Sequence, residues 1–206
     1  MTEFDHSYDA FDNSDKESDE EKKTKAKVPF MRDLMEKQRT LFISEEVSPK
    51  LTSKIVPALM WLDSQSDDPI RLFINTPGGS ADDGFAIHDA IQFIRSPVLC
   101  ITNGLNASAG TVILLATPKE RRFSLPNSRI MIHQPSSGVR GKASEIEVTA
   151  EEIMKLRKRC NQLIADGTGK SLEEVEKDTN GDCWMSPTEA VEYGLIGQIL
   201  TSLNDL

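Results

Sequence analysis

The chain has 206 residues, 38% of them hydrophobic, and a formal net charge of −9. That length accommodates one globular domain with an extension, and so acidic a balance lacks the basic face with which a nucleic-acid binder displaces counterions. With no charged-then-apolar leader, no membrane-length apolar run, and only the scattered Cys100, Cys160 and Cys183, we expect no membrane contact, no disulfide framework, no metal site and a reduced, cytoplasmic setting.

Residues 1–27 are rich in Asp, Glu, Lys and Ser. They cannot bury enough apolar surface to offset the entropy of ordering and read as a disordered acidic arm, leaving 28–206 as the folded domain. A strand is expected over Thr40 to Val47, then a helix from Ser48 to Gln65. Ser48 serves as its cap, Pro49 takes the first helical position and Pro57 marks a kink. Pro69 to Asn75 reads as a strand and Thr76 to Ser80 as a tight turn. Ala81 to Arg95 reads as a helix, Val98 to Thr102 as a strand and Ala107 to Ala116 as a buried helix. Short strands are expected at Arg122 to Ser124 and Ile130 to His133. Such alternation predicts an α/β domain of stacked βαβ units.

The following segment, about 134–170, differs. Its glycine-rich start is weakly patterned, and a Ser144/Glu147 capping box then opens a long helix ending near Asp166. Ile146, Ala150, Ile153, Leu156, Cys160 and Leu163 form an apolar stripe that must pack on something, core or neighbouring subunit. Short helices are expected after Ser171 and Ser186, the latter with Pro187 at its first position and Gly194 as its stop.

Three residues carry chemistry. Ser108 lies among small neighbours at a helix start, His133 ends a strand, and Asp182 follows the Asn180-Gly181 turn signal. A hydroxyl is a poor nucleophile until an imidazole takes its proton, and the imidazole needs a carboxylate to fix its tautomer. The Gly78-Gly79 turn and the Ala109 N–H offer free backbone donors for a developing oxyanion, each worth about 3 kcal/mol of barrier in such sites. Taken singly, Ser108 reads as a helix-start serine, His133 as structural and Asp182 as a turn residue. His88 reads as interfacial or exposed, and Cys183 as structural. The motifs around the triad change that weighting.

Those motifs are Phe73-Ile74-Asn75-Thr76-Pro77-Gly78-Gly79, Ala107-Ser108-Ala109-Gly110, Leu125-Pro126-Asn127-Ser128-Arg129-Ile130-Met131-Ile132-His133-Gln134-Pro135 and Glu189-Ala190-Val191-Glu192-Tyr193-Gly194-Leu195-Ile196. From Met31 to Thr201 the chain resembles the ClpP family, the proteolytic subunits of the ATP-dependent Clp protease. The resemblance implies a crotonase-like fold with a projecting handle helix. It makes Ser108 the nucleophile, His133 the general base, Asp182 the orienting acid, and Gly79 and Ala109 the oxyanion hole. Substrate strands would lie along Ser137 and Gly138 by strand addition. It also implies two stacked seven-membered rings, unfolded protein substrates, no cofactor, and an AAA+ unfoldase partner. The chain has no Walker motif of its own to supply ATP-driven unfolding.

Several positions depart from the family pattern. Arg71 stands where an aromatic is common, with Phe73 two residues on. Gly181 replaces an Arg that often precedes the acid, Ser137 a glycine, and Ala109 a bulkier residue. These changes spare the triad but leave a second expectation, a divergent, weakly active structural or regulatory subunit of a mixed ring. A third, an acyl-CoA enzyme on the same fold, follows because fold alone does not fix function.

Overall fold

The computed structural model describes residues 30–136 and 138–206. The expected acidic arm and Ser137 lie outside the described residues. A helix through 30–38 (α1), absent from the sequence reading, leads into β1 (Thr40–Ile43), which is shorter than expected, and α2 (Pro49–Gln65). The cap is as expected: Ser48 Oγ accepts from Leu51 N–H at 3.4 Å, with Pro49 in the first turn. The helix runs on through Pro57 and buries Leu51, Ile55, Leu59 and Leu62, whose spacing puts them on one face. Then follow β2 (Ile70–Thr76), α3 (Ala81–Phe93), β3 (Val98–Ala107), α4 (Ala109–Leu114), β4 (Arg122–Ser124) and β5 (Arg129–Ile132).

The second half holds α5 (Ala143–Thr168), α6 (Leu172–Asp178), β6 (Cys183–Met185), α7 (Pro187–Tyr193) and β7 (Gln198–Ile199). The capping boxes at Ser171/Glu174 and Ser186/Glu189 form as expected, and Gly194 ends α7 at φ +97°. The start of α5 is a correction. Lys142, not Ser144, is its N-cap, and Glu145 Oε2 accepts from Lys142 N–H at 3.0 Å. The expected Ser144/Glu147 box fails because both residues already lie inside the helix.

The strands run β1-β2-β3-β4-β7, all parallel. Strand β3 is five residues longer than expected, and the extension decides the architecture. Its first half (Cys100–Thr102) pairs with β4, and its second half (Leu105–Ala107) pairs with β5. The sheet forks there, and β6 adds antiparallel to β5. Helices α2, α3 and α4 pack on the sheet around one continuous core in which Ile43, Ile70, Leu72 and Ile74 are fully buried. The parallel α/β class is the expected one. The long helix α5 is divided: Ile146, Val148 and Met154 are exposed, whereas Cys160, Ile164 and Ala165 are buried.

Candidate active site

Ser108 sits in the turn between β3 and α4 with φ +55° and ψ −121°. The turn is pinned to the next strand: Ser108 N–H donates to Met131 O at 3.0 Å, and Thr111 Oγ1 donates to the same carbonyl at 3.0 Å. A capping serine would turn its oxygen back to its own helix. Ser108 makes no such bond, and its Oγ lies 2.8 Å from His133 Nε2.

His133 follows directly on β5, which also holds the Ser108 backbone. Its Nδ1 lies 3.1 Å from Asp182 Oδ1. Sheet register produces this meeting. The antiparallel β5–β6 pair matches Ile130 with Met185 and Ile132 with Cys183, so one step beyond, His133 faces Asp182. Gln134 locks the two segments together, its N–H donating to Thr179 O at 2.8 Å and its Nε2 to Asn180 O at 2.9 Å. The three residues expected to act together are thus brought together, 49 positions apart at the widest step.

The Gly78-Gly79 turn lies against Ser108. A Cβ on Gly78 would fall 2.6 Å from Ser108 Cβ and 3.1 Å from Ala109 N. Val47 holds the turn from behind, donating to Gly78 O at 2.8 Å and accepting from Ser80 N–H at 2.9 Å. Neither the Gly79 nor the Ala109 N–H has an acceptor among the described residues. Both residues line a cleft of about 400 Å³ beside Ser108 and His133. Its far wall comes from α5: Ile153, Leu156, Cys160 and Ile164. The sequence exposed that stripe but not its target. Gly138 is exposed, and a Cβ placed on it would meet nothing within 4 Å. Thr111, which helps hold the site's backbone, carries no signal in the sequence, and Gln134 appears there only as part of a motif, since both roles exist only between distant segments.

His88, expected to be interfacial or exposed, is not exposed: it is buried within the subunit, with Nδ1 3.0 Å from Asp89 Oδ1 and its ring edge-on to Phe85 at 6.2 Å. Burial pushes the thiol of Cys100 up to about 12 and that of Cys160 up to about 11. Burial, with Asp178 and Glu189 nearby, raises Cys183. None is poised as a thiolate. Among the described residues no group of His, Cys, Asp and Glu is arranged to hold a metal, and no helix is long and apolar enough to cross a membrane.

The model of the Clp protease family matches residues 22–203. The ATP-dependent Clp protease proteolytic subunit 2 of Treponema denticola is 47% identical over 194 residues, covering 92% of this chain and 96% of that protein. The proteolytic subunit 3 of Rhizobium johnstonii is 46% identical over 170 residues, 82% of this chain and 88% of the relative. Among solved structures, a mutant ClpP1 from Listeria monocytogenes superposes with a TM-score of 0.79 at 43% identity, covering 85% of this chain and 98% of that one. Its crotonase-like fold is therefore the fold of this chain. Sequence and backbone agree over most of both partners' lengths, and the chain belongs to the Clp protease family of proteolytic subunits, which are peptidase hydrolases.

Proposed function

We propose that the chain hydrolyses peptide bonds through Ser108, His133 and Asp182. The observation that carries this reading is the relay of contacts, Ser108 Oγ to His133 Nε2 at 2.8 Å and His133 Nδ1 to Asp182 Oδ1 at 3.1 Å. His133 accepts the Ser108 proton as Oγ attacks the scissile carbonyl carbon. The Nδ1–H stays on the imidazole, held by Asp182, which also stabilises the imidazolium that forms. The carbonyl oxygen, now negative, accepts from the Gly79 and Ala109 N–H groups. His133 returns its proton to the leaving amine. Water then attacks the acyl-enzyme with His133 again as base, and Ser108 is regenerated.

The extended substrate lies along Ser137 and Gly138, next to Pro135 and Ser136 of the cleft lining, as an added strand. The names of the relatives, proteolytic subunits of an ATP-dependent protease, support a ring assembly fed by an ATPase. We assign it as two stacked heptameric rings receiving unfolded protein from an AAA+ unfoldase in the cytoplasm. No observation favours a non-catalytic ring member.

A fluorophosphonate probe tests the chemistry. The expected result is one labelled site, lost in Ser108→Ala, together with loss of peptide hydrolysis by about 10⁴-fold or more in Ser108→Ala and His133→Ala. Labelling that persists in Ser108→Ala overturns the assignment.

A further inference from the structure

The cleft beside Ser108 is not uniformly apolar. Its walls include Val112, Ile153 and Leu156, and Asp82, in the first turn of α3, also lines it. Asp82, Ile153 and Leu156 also line an outer groove along α5. They therefore form the lip where the cleft opens to solvent. Asp82 is exposed, and among the described residues it makes no side-chain hydrogen bond or ion pair. The cations that share the outer groove are engaged elsewhere. Lys155 Nζ lies 2.6 Å from Glu152 Oε1. The Arg159 guanidinium lies 3.7 Å over the Phe85 ring and 4.0 Å from Asp89 Oδ2. Helix α3 thus presents at the cleft's mouth a carboxylate that, among the described residues, has no protein partner.

We propose that Asp82 is a specificity-determining residue, favouring a basic side chain over an acidic one at the substrate residue that fills this cleft. A lysine or arginine fits such a lip: its methylene stem lies on apolar wall while its charged head stays at the solvent edge. A glutamate placed there meets the Asp82 carboxylate head-on. The selection acts on the acyl side of the scissile bond. It rests on Ser108 as the nucleophile.

The test uses the assembled full-length protein and three peptides that differ only at the residue supplying the attacked carbonyl, which is Lys, Leu or Glu. For wild type, kcat/KM for Lys exceeds that for Glu by about tenfold, the size expected when one charge near the lip attracts one head and repels the other in a water-rich setting. The Lys/Glu ratio drops to near one in Asp82→Asn and inverts in Asp82→Lys, and the wild-type ratio shrinks with added salt. A Lys/Glu ratio that stays the same across wild type and both variants overturns the role of Asp82 while leaving Ser108 in place, provided the Leu peptide is still cleaved. Absence of both peptide cleavage and fluorophosphonate labelling overturns the Ser108 reading, and this inference with it.

Discussion

At Ser108 the backbone sits at φ +55° and ψ −121°, a conformation that costs a non-glycine residue about 1–3 kcal/mol and persists only where the surroundings enforce it. Here the enforcement comes from Met131 O on one side and the Gly78 backbone on the other. Gly78, at φ +95°, leaves no room for a methyl group: the added carbon would lie 2.7 Å from Ala107 O and 2.6 Å from Ser108 Cβ. Gly78→Ala therefore pushes the serine off its histidine. We expect peptide kcat/KM to fall about a hundredfold, the cost of a 1 Å misplacement, and the urea midpoint to fall as well. Steady-state kinetics and a denaturation curve read the two effects separately. The thiols give a second prediction. With Cys100 pushed up to about 12 and Cys160 to about 11 by burial, both stay protonated and covered at pH 8. In native protein, mass spectrometry should find Cys183 alkylated first, and Cys100 only as fast as the fold opens.

Among the elements, α5 carries two environments between its ends and between its faces. Its C-terminal half buries Ile164 (5% exposed) in the main core, whereas Val148 near its start is 60% exposed. Ile164→Ala should destabilise the subunit by about 2–5 kcal/mol, and Val148→Ala by about 0.5 kcal/mol or less, both measured by urea unfolding. A large loss from Val148→Ala would mean that the exposed half is covered within the folding unit. The β5–β6 pair shows the same lesson for strands. The apolar run Ile130-Met131-Ile132 was legible as a strand, but Cys183-Trp184-Met185 carried no period of its own and is a strand only because β5 is there to pair with it. Trp184 is further held by the Arg129 guanidinium, 4.2 Å from its ring.

Over the whole molecule, one carboxylate ties α2 to the connection between α3 and β3. Asp63, in α2, accepts at Oδ1 from Ser96 N–H at 2.8 Å and from Arg95 N–H at 2.9 Å, where the chain enters β3. The Ser96 N–H, helped by the Ser96 hydroxyl and Arg95, holds its carboxyl below the ordinary aspartate value. A carboxyl lowered in the folded state contributes stability that is full above its unfolded value and is lost as the pH drops through the folded one. Urea midpoints from pH 7 down to pH 3 should therefore fall more steeply in wild type than in Asp63→Asn, the gap closing at the acid end. Parallel curves would sink this reading. The amino-acid order by itself determined what depends on neighbours a few residues away. It set the caps at Ser48, Ser171 and Ser186, the helical stripes, the Gly78-Gly79 turn and the identity of the reacting side chains. What depends on pairing across the chain exists in the folded molecule alone: the fork of β3, the burial of His88, the α5 wall of the cleft, and the register that sets Asp182 opposite His133. Periodicity reports which face of an element is apolar. It does not report which distant element that face meets, because the contact energy that fixes the partner exists only once the chain has closed the loop between them.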